Sequence, residues 1–426
     1  MQFNIIPARA DTDPMAVARG LMRALRFAAS ALSMRAAALS RPSVRDAMPK
    51  LAAGDGCGPN RIFEWQGLNT RYYALNEDGD GPSVILVHGL FVNADHWRRN
   101  APALAAAGCR VFAVDLLGNG YSDKPYPEDP AAVAVSGENS RFPDGASSTV
   151  VADLGTAGGG ARPGIDVEQR HPRAGSPYNF FTWADQLTDF AEAVVKPQSG
   201  SCALVCNSIG CISGLVAARD RPDLFGSCLL VAPNFRELHV AESPAFLQPA
   251  VSWVQAQLRA KGQGLFDALA KPDTVKSILK EPYADEKAVT DDLVDCLLTP
   301  LLTEGSADVV FDTLSSALSY SAGPLPEQLL QDDALAAAKI WACVGDRDPW
   351  TPIKRVAALE KYAPVKRVDV LRGAGHCPHD ENPALVNPLI LEFLGLETPE
   401  AEPAAAASDG KKTGVGTPLF DKKVRA

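Results

Sequence analysis

Ser201-Cys202-Ala203-Leu204-Val205-Cys206-Asn207-Ser208-Ile209-Gly210-Cys211-Ile212 is an apolar run that breaks sharply at a serine. A short buried strand, a serine among small residues and the helix-compatible Ser213-Gly214-Leu215-Val216-Ala217-Ala218 together describe a nucleophile elbow. Such a turn holds the serine in a strained strand-to-helix corner that lifts its hydroxyl above the sheet edge, so the positions two before and two after must be small. Gly210 meets that demand. Cys206 stands where the common pattern has its first glycine. Taken alone, the stretch also fits a buried strand meeting a serine-capped helix, and the neighbouring stretches have to decide.

Working outward, continuous apolar runs at 84–87, 110–115, 228–232, 340–344 and 367–371 read as further strands buried on both faces, as parallel strands between two helical layers are. Residues 61–65 and 70–75, separated by 66–69, read as an opening hairpin. Helices are expected at about 97–107, after a Thr182 cap (carrying Leu187, Phe190 and Val194), after Gly210, and at the C-terminal end (Leu385, Ile390, Leu391, Phe393). The alternation implies an α/β architecture with a mostly parallel central sheet flanked by helices, over residues 60–396. Residues 126–177, rich in Ala, Gly, Pro and Ser, are expected to be a disordered insertion. Residues 234–335 are expected to be a helical lid inserted after the strand that follows the elbow helix, and 397–426 a disordered tail.

Three polar residues then stand at the carboxyl ends of three expected strands, in the order Ser208, Asp348, His376, on the edge where open α/β sheets bind ligands. A serine hydroxyl becomes a nucleophile when an imidazole takes its proton, and that imidazole needs an acceptor on its other nitrogen to fix its tautomer. His376 is the expected base and Asp348 the orienting acceptor. Backbone amides of Leu90 and Ile209 are the expected oxyanion donors, with Gly89 and Gly210 giving room and His88 packing beneath the loop. Phe91, Trp97 and Trp350 are candidate pocket residues. Asp346 is an alternative acid, His379 an alternative base, and Cys206 or Cys211 an alternative nucleophile; His96, His171 and His239 read as ordinary histidines.

Composition narrows the function classes. The 426-residue chain carries a formal net charge of -10, which argues against a nucleic-acid partner. The nine cysteines lack CxxC spacing and read as small buried hydrophobes. No metal and no cofactor is called for, and no apolar run approaches the roughly 18 residues that span a bilayer. Between Asp13 and Asp46 there is no acidic residue while arginines recur, so residues 1–50 read as an organellar transit peptide, for a chloroplast or alternatively a mitochondrion.

His88-Gly89, Asp95-His96-Trp97-Arg98, Asp115-Leu116-Leu117-Gly118-Asn119-Gly120-Tyr121-Ser122, Asn207-Ser208-Ile209-Gly210, Gly345-Asp346-Arg347-Asp348-Pro349-Trp350 and Gly375-His376-Cys377-Pro378-His379-Asp380-Glu381-Asn382-Pro383 resemble α/β-hydrolase-fold proteins. The likeness is strongest to the plastid group around pheophytinase and chlorophyll dephytylase of plants and green algae. That resemblance implies an α/β-hydrolase fold, a carboxylic ester hydrolase acting on a bulky apolar ester such as the phytyl ester of chlorophyll pigments, and a chloroplast location with peripheral thylakoid contact. Similar proteins carry glycines where Cys206 and Cys211 stand, so the turn must accommodate two extra side chains for Ser208 to be correctly aimed. Two other readings share the constellation: a weakly active or inactive ligand-binding scaffold, and a cofactor-free perhydrolase or haloperoxidase. Epoxide hydrolases and haloalkane dehalogenases share the His-Gly and Trp neighbourhoods but use an aspartate nucleophile, against which Ser208 argues.

Overall fold

Each apolar run expected to be a strand is one. The structure, a computed structural model, describes residues 41–141, 175–198, 200–235, 262–317 and 323–397, with two short strands and isolated positions between 148 and 173 and isolated helical positions between 253 and 260. The expected transit segment as far as residue 40, the middle of the expected insertion, His239 and the expected tail from 398 lie outside the described residues. In chain order the strands are β1 (Arg61–Trp65), β2 (Leu68–Leu75), β3 (Ser83–Val87), β4 (Arg110–Val114), β5 (Ser148–Val151), β6 (Asp166–Glu168), β7 (Ala203–Asn207), β8 (Ser227–Val231), β9 (Lys339–Gly345) and β10 (Val365–Leu371). β5 and β6 pair only with each other; the other eight form one sheet in the order β1-β2-β4-β3-β7-β8-β9-β10.

β2 is antiparallel to both its neighbours, and every pairing from β4 across to β10 is parallel. The β1–β2 turn is tighter than expected. Gln66 (φ 50°) and Gly67 (φ 83°) both take positive φ, the signature of a two-residue hairpin turn whose twist matches its strands, and β2 therefore starts at Leu68.

β3, β4 and β7 are buried along their whole length. Side chains alternate faces along a strand: Leu204 and Cys206 join the larger core cluster with Phe112, Phe190 and Ile212, while Ala203 and Val205 join the opposite one with Trp97, Leu229 and Phe393. β3 is flanked by β4 on one side and β7 on the other, so the chain reverses its winding there. The carboxyl ends of β3 and β7 lie on either side of that reversal, the place where open α/β sheets carry their ligand sites.

Several local expectations are corrected. The helix Phe180–Phe190 is capped by Asn179, whose side chain accepts from the amides of Phe181 and Thr182; the Thr182 hydroxyl instead accepts from the Gly137 amide. The expected helix at 97–107 is a 3₁₀ turn, Ala94–Trp97, followed by the helix Ala101–Ala106. The described ends of the expected disordered insertion are packed. Helices Pro130–Ala134 and Glu138–Arg141 form, Ala132, Glu138, His171 and Ser176 are buried, and Arg173 and Ser176 both bond Asp312. Buried polar pairing there supplies what a low apolar content does not.

Packing also begins before residue 60. Arg41 pairs with Asp267 at 2.6 Å, and Ala52 and Cys57 join the second core cluster. Between β8 and β9 the described chain forms the helices Gln263–Leu269, Pro272–Leu279, Asp291–Leu301 and Ser306–Ala317. Tyr283, Val289, Leu293 and Leu297 build a small apolar cluster that includes Cys377, next to His376.

Candidate active site

Ser208 follows β7 directly and sits at φ 53°, a left-handed conformation uncommon for a non-glycine residue. Surrounding structure has to enforce it. The Ser208 amide donates to Val231 O at 3.0 Å, and Ser208 O accepts from the amide of Cys211 at 3.1 Å at the start of the helix Gly210–Asp220. A Cβ on Gly210 would lie 2.5 Å from His88 O, and one on Gly89 would lie 2.8 Å from Asn207 Oδ1 and 3.2 Å from Ser208 Cβ. Both glycines are required by close approach.

The two flanking cysteines are accommodated rather than obstructive. Cys206 is fully buried, and its Sγ fills the space beside Gly214, one turn into the following helix. Cys211 is equally buried and its thiol donates to Cys206 O at 3.1 Å. Burial pushes both thiols well above their ordinary pKa, leaving them protonated and poorly nucleophilic. The alternative of a cysteine nucleophile is corrected on that ground.

His376, Asp348 and Ser208 come together. His376 Nε2 lies 3.0 Å from Ser208 Oγ, and His376 Nδ1 lies 2.8 Å from Asp348 Oδ2. Asp348 Oδ1 accepts from the amides of Trp350 (2.8 Å) and Thr351 (2.9 Å), which fixes the carboxylate's plane. The alternative acid, Asp346, is exposed and accepts from the Gly373 amide instead. An imidazole so placed can take a proton from the serine hydroxyl while its other nitrogen stays protonated toward the carboxylate.

His88 is fully buried, with Nδ1 2.7 Å from Gly89 O and Nε2 accepting from the Leu116 amide at 3.0 Å. Burial lowers its pKa, so the ring stays neutral and ties the loop after β3 to the loop after β4. Leu90 and Ile209 follow β3 and the elbow serine, and among the described residues no hydrogen bond takes up either amide. Phe91, at φ 57°, is half-buried. Trp350 is 43% exposed and presents its ring edge-on to His376, centroids 4.9 Å apart. Trp97 does not share that location: it is fully buried in the second core cluster and stacks on His379 at 4.1 Å. Its selection as a pocket residue is corrected, because the 3₁₀ turn that precedes Arg98 points it into the core.

Two residues to which sequence reasoning gave no role complete the arrangement. Thr351 Oγ1 lies 3.3 Å from His376 Nδ1. Asn207 Nδ2 donates to Val231 O (3.1 Å) and His376 O (3.4 Å), stitching the elbow to the β8 end and to the histidine loop.

His379, the alternative base, belongs to a separate buried assembly in which two of the sequence stretches quoted above are partner halves. His96 Nδ1 meets His379 Nε2 at 3.1 Å, Arg98 pairs with Asp380 at 2.7 Å, Arg99 donates to Asp380 O at 3.0 Å and Asn100 to His379 O at 3.0 Å. Burial holds both histidines well below their ordinary pKa. Among the described residues no group of His, Cys, Asp and Glu is placed to hold a metal ion.

A family model described as the alpha/beta hydrolase family matches residues 84–389. Pheophytinase, chloroplastic, of Arabidopsis thaliana is 25% identical over 349 residues, which are 78% of this chain and 65% of that protein. Epoxide hydrolase B of Mycobacterium tuberculosis is 43% identical over 68 residues, 15% of this chain and 18% of that protein. The chain thus spans less than two thirds of either relative's length. Among solved structures, Cfl2 of Burkholderia cenocepacia superposes with a TM-score of 0.52 at 18% identity, covering 82% of this chain and 100% of that one, a likeness of fold.

Proposed function

We propose that this chain, which belongs to the alpha/beta hydrolase family, is a serine hydrolase that cleaves a carboxylic ester carrying a bulky apolar group, with the phytyl ester of chlorophyll-type pigments as the leading substrate class. The observation that carries the reading is the continuous contact from Ser208 Oγ to His376 Nε2 and from His376 Nδ1 to Asp348 Oδ2 at the carboxyl edge of the parallel strands. Ser208 Oγ attacks the ester carbonyl carbon while His376 Nε2 takes its proton. Amides of Leu90 and Ile209 receive the negative charge on the carbonyl oxygen, each such donor being worth on the order of 2.7–4 kcal/mol. The intermediate collapses, the C–O bond breaks, and the alcohol leaves with the proton from His376. Water, activated by the same nitrogen, then releases the acid and restores Ser208.

Several features support a bulky apolar substrate. The exposed Trp350 ring lies against His376, and the helices between β8 and β9 serve in this reading as the lid that supplies the remaining apolar surface. The name of the Arabidopsis relative points to the same substrate class and, with the acid-free, arginine-bearing stretch before Asp46, to a chloroplast. Access to a membrane-dissolved pigment would be peripheral: no helix of the described residues is long and apolar enough to cross a membrane. Seating Cys206 beside Gly214 favours the catalytic reading over a scaffold, and a serine at the elbow favours ester cleavage over epoxide opening, which needs a carboxylate nucleophile there. The test is product analysis by mass spectrometry after incubation with chlorophyll, pheophytin and simple lipid esters. Release of phytol by the wild type and none by Ser208→Ala supports the proposal. Undiminished hydrolysis by Ser208→Ala refutes it.

A further inference from the structure

Tyr283 lies in the segment between the helices Pro272–Leu279 and Asp291–Leu301, far in sequence from every residue assigned above, yet it is buried and hydrogen-bonded at the centre of the histidine assembly. Its hydroxyl donates to Asp380 Oδ2 at 2.7 Å and lies 2.9 Å from His96 Nε2. A phenol has one proton to give, and the carboxylate can only accept. His96 must therefore donate from Nε2 to Tyr283, leaving its Nδ1 bare to accept from His379 Nε2–H. That assignment leaves His379 Nδ1 without a proton, and this is the ring nitrogen that has no partner among the described residues. All donors in the chain His379, His96, Tyr283 point one way, toward Asp380, whose charge Arg98 balances at 2.7 Å. Hydrogen bonds aligned in one direction strengthen one another, and the three links that run from His379 Nε2 to Asp380 are all made, which stiffens this part of the assembly.

The assembly touches the reaction centre through the backbone. Pro282 O, beside Tyr283, accepts the His376 amide at 2.7 Å. Glu381 accepts from the Gly375 amide (2.7 Å) and the Asp285 amide (2.6 Å), and a Cβ on Gly375 would come within 2.7 Å of Ala284 N. Segment 281–285 is thus pressed directly against the loop that carries His376, and Tyr283 is the one side chain there that reaches through to both halves of the buried assembly.

We infer that Tyr283 is a positioning residue for the hydrolysis: it locks the segment entering the helices above the sheet to the loop that carries His376, and so holds the imidazole in register with Ser208 and Asp348. This rests on the Ser208 reading proposed above. Misplacement of a reacting group by about 1 Å can cost on the order of 100-fold in rate, without loss of substrate affinity. Removing the hydroxyl should therefore lower kcat and spare KM.

The experiment uses the full chain, a short p-nitrophenyl ester, and fluorophosphonate labelling followed over time, with rates referred to the protein labelled at completion so that unfolded material does not count. Tyr283→Phe is expected to lower kcat and the labelling rate tenfold or more, with KM within about twofold. Tyr178→Phe removes another buried hydroxyl, one that donates to Pro125 O, and is expected to keep both rates within about twofold. Should Tyr283→Phe fail to fold, Glu381→Ala cuts the second tie and is expected to give the same kcat-only loss. Wild-type rates in Tyr283→Phe or in Glu381→Ala, or an equal loss in Tyr178→Phe, would overturn the inference. Absence of Ser208 labelling in the wild type would overturn the function itself, so the two failures are distinguishable.

Discussion

A Cβ placed on Gly214 would lie 2.5 Å from Cys206 Sγ and 3.7 Å from Cys206 Cβ. The sulfur of the strand residue therefore occupies space that the helix residue leaves empty, and the elbow keeps its Ser208 geometry with a cysteine where a glycine is common. Helix propensity alone would make Gly214→Ala stabilising by up to about 1 kcal/mol. Overpacking a buried site costs about 1–3 kcal/mol and should win. Gly214→Ala is expected to lower the urea midpoint, and Cys206→Ala/Gly214→Ala to recover most of the loss, because only the sulfur clashes. Additive effects of the two changes would sink this account of the elbow.

The carboxylate of Asp348 is held by two amides on Oδ1 and by His376 on Oδ2. Asp348→Asn preserves the shape but offers an NH₂ or a weaker acceptor to the imidazole, which disfavours the tautomer with a bare Nε2 toward Ser208. A fall in kcat of about 10³–10⁴-fold with little change in Tm is expected, by analogy with the loss measured for that exchange in a serine protease. Asp346→Asn, at an exposed site, is expected to retain nearly full activity.

Arg71 is fully buried between Asp95 and Asp115, with Nη1 3.2 Å from Asp115 Oδ1. Asp115 also accepts from the amides of Ala94 and Tyr121, so this cluster organises both the turn before Trp97 and the loop after β4. Replacing Arg71 by Leu strands two carboxylates in the interior. Breaking a buried pair in this way costs about 3–5 kcal/mol, and denaturant unfolding should show a loss of that size.

His88, His96 and His379 are all buried with their pKa held below 6.5, burial being the largest cause in each. Below about pH 6.5 the unfolded chain protonates these rings while the folded chain keeps them neutral. The unfolded state then binds more protons, so stability falls as pH falls. Each ring contributes up to about 1.4 kcal/mol per pH unit in that window, until the native ring itself protonates. Unfolding free energies between pH 7.5 and 5.5 should decline toward acid, with a shallower slope for His379→Gln. A flat or rising profile toward pH 5.5 would contradict the neutral assignment.

Much of this was legible from the sequence because the signals were local. Strands buried on both faces appear as unbroken apolar runs, and polar residues standing directly after them had to lie on one sheet edge, which is why Ser208, Asp348 and His376 could be selected before their distances were known. What escaped depends on contacts between distant segments. Nothing near Gly214 marks it as the partner of Cys206 across a turn, and Tyr283 sits in a segment without strand or motif to single it out. Trp97 looked like a pocket residue because it follows the loop after β3, but a 3₁₀ turn rotated it into the core. Asn179 outcompeted Thr182 as a cap because its longer side chain reaches two amides, freeing the threonine for Gly137.

The central claim is that Ser208 is an activated nucleophile, and covalent labelling with a fluorophosphonate tests it most directly. After digestion and mass spectrometry, the adduct is expected on Ser208 of the wild type, to be absent from Ser208→Ala, and to form at least 100-fold more slowly in His376→Ala. An adduct on another residue, or none on a folded wild-type protein, would contradict it.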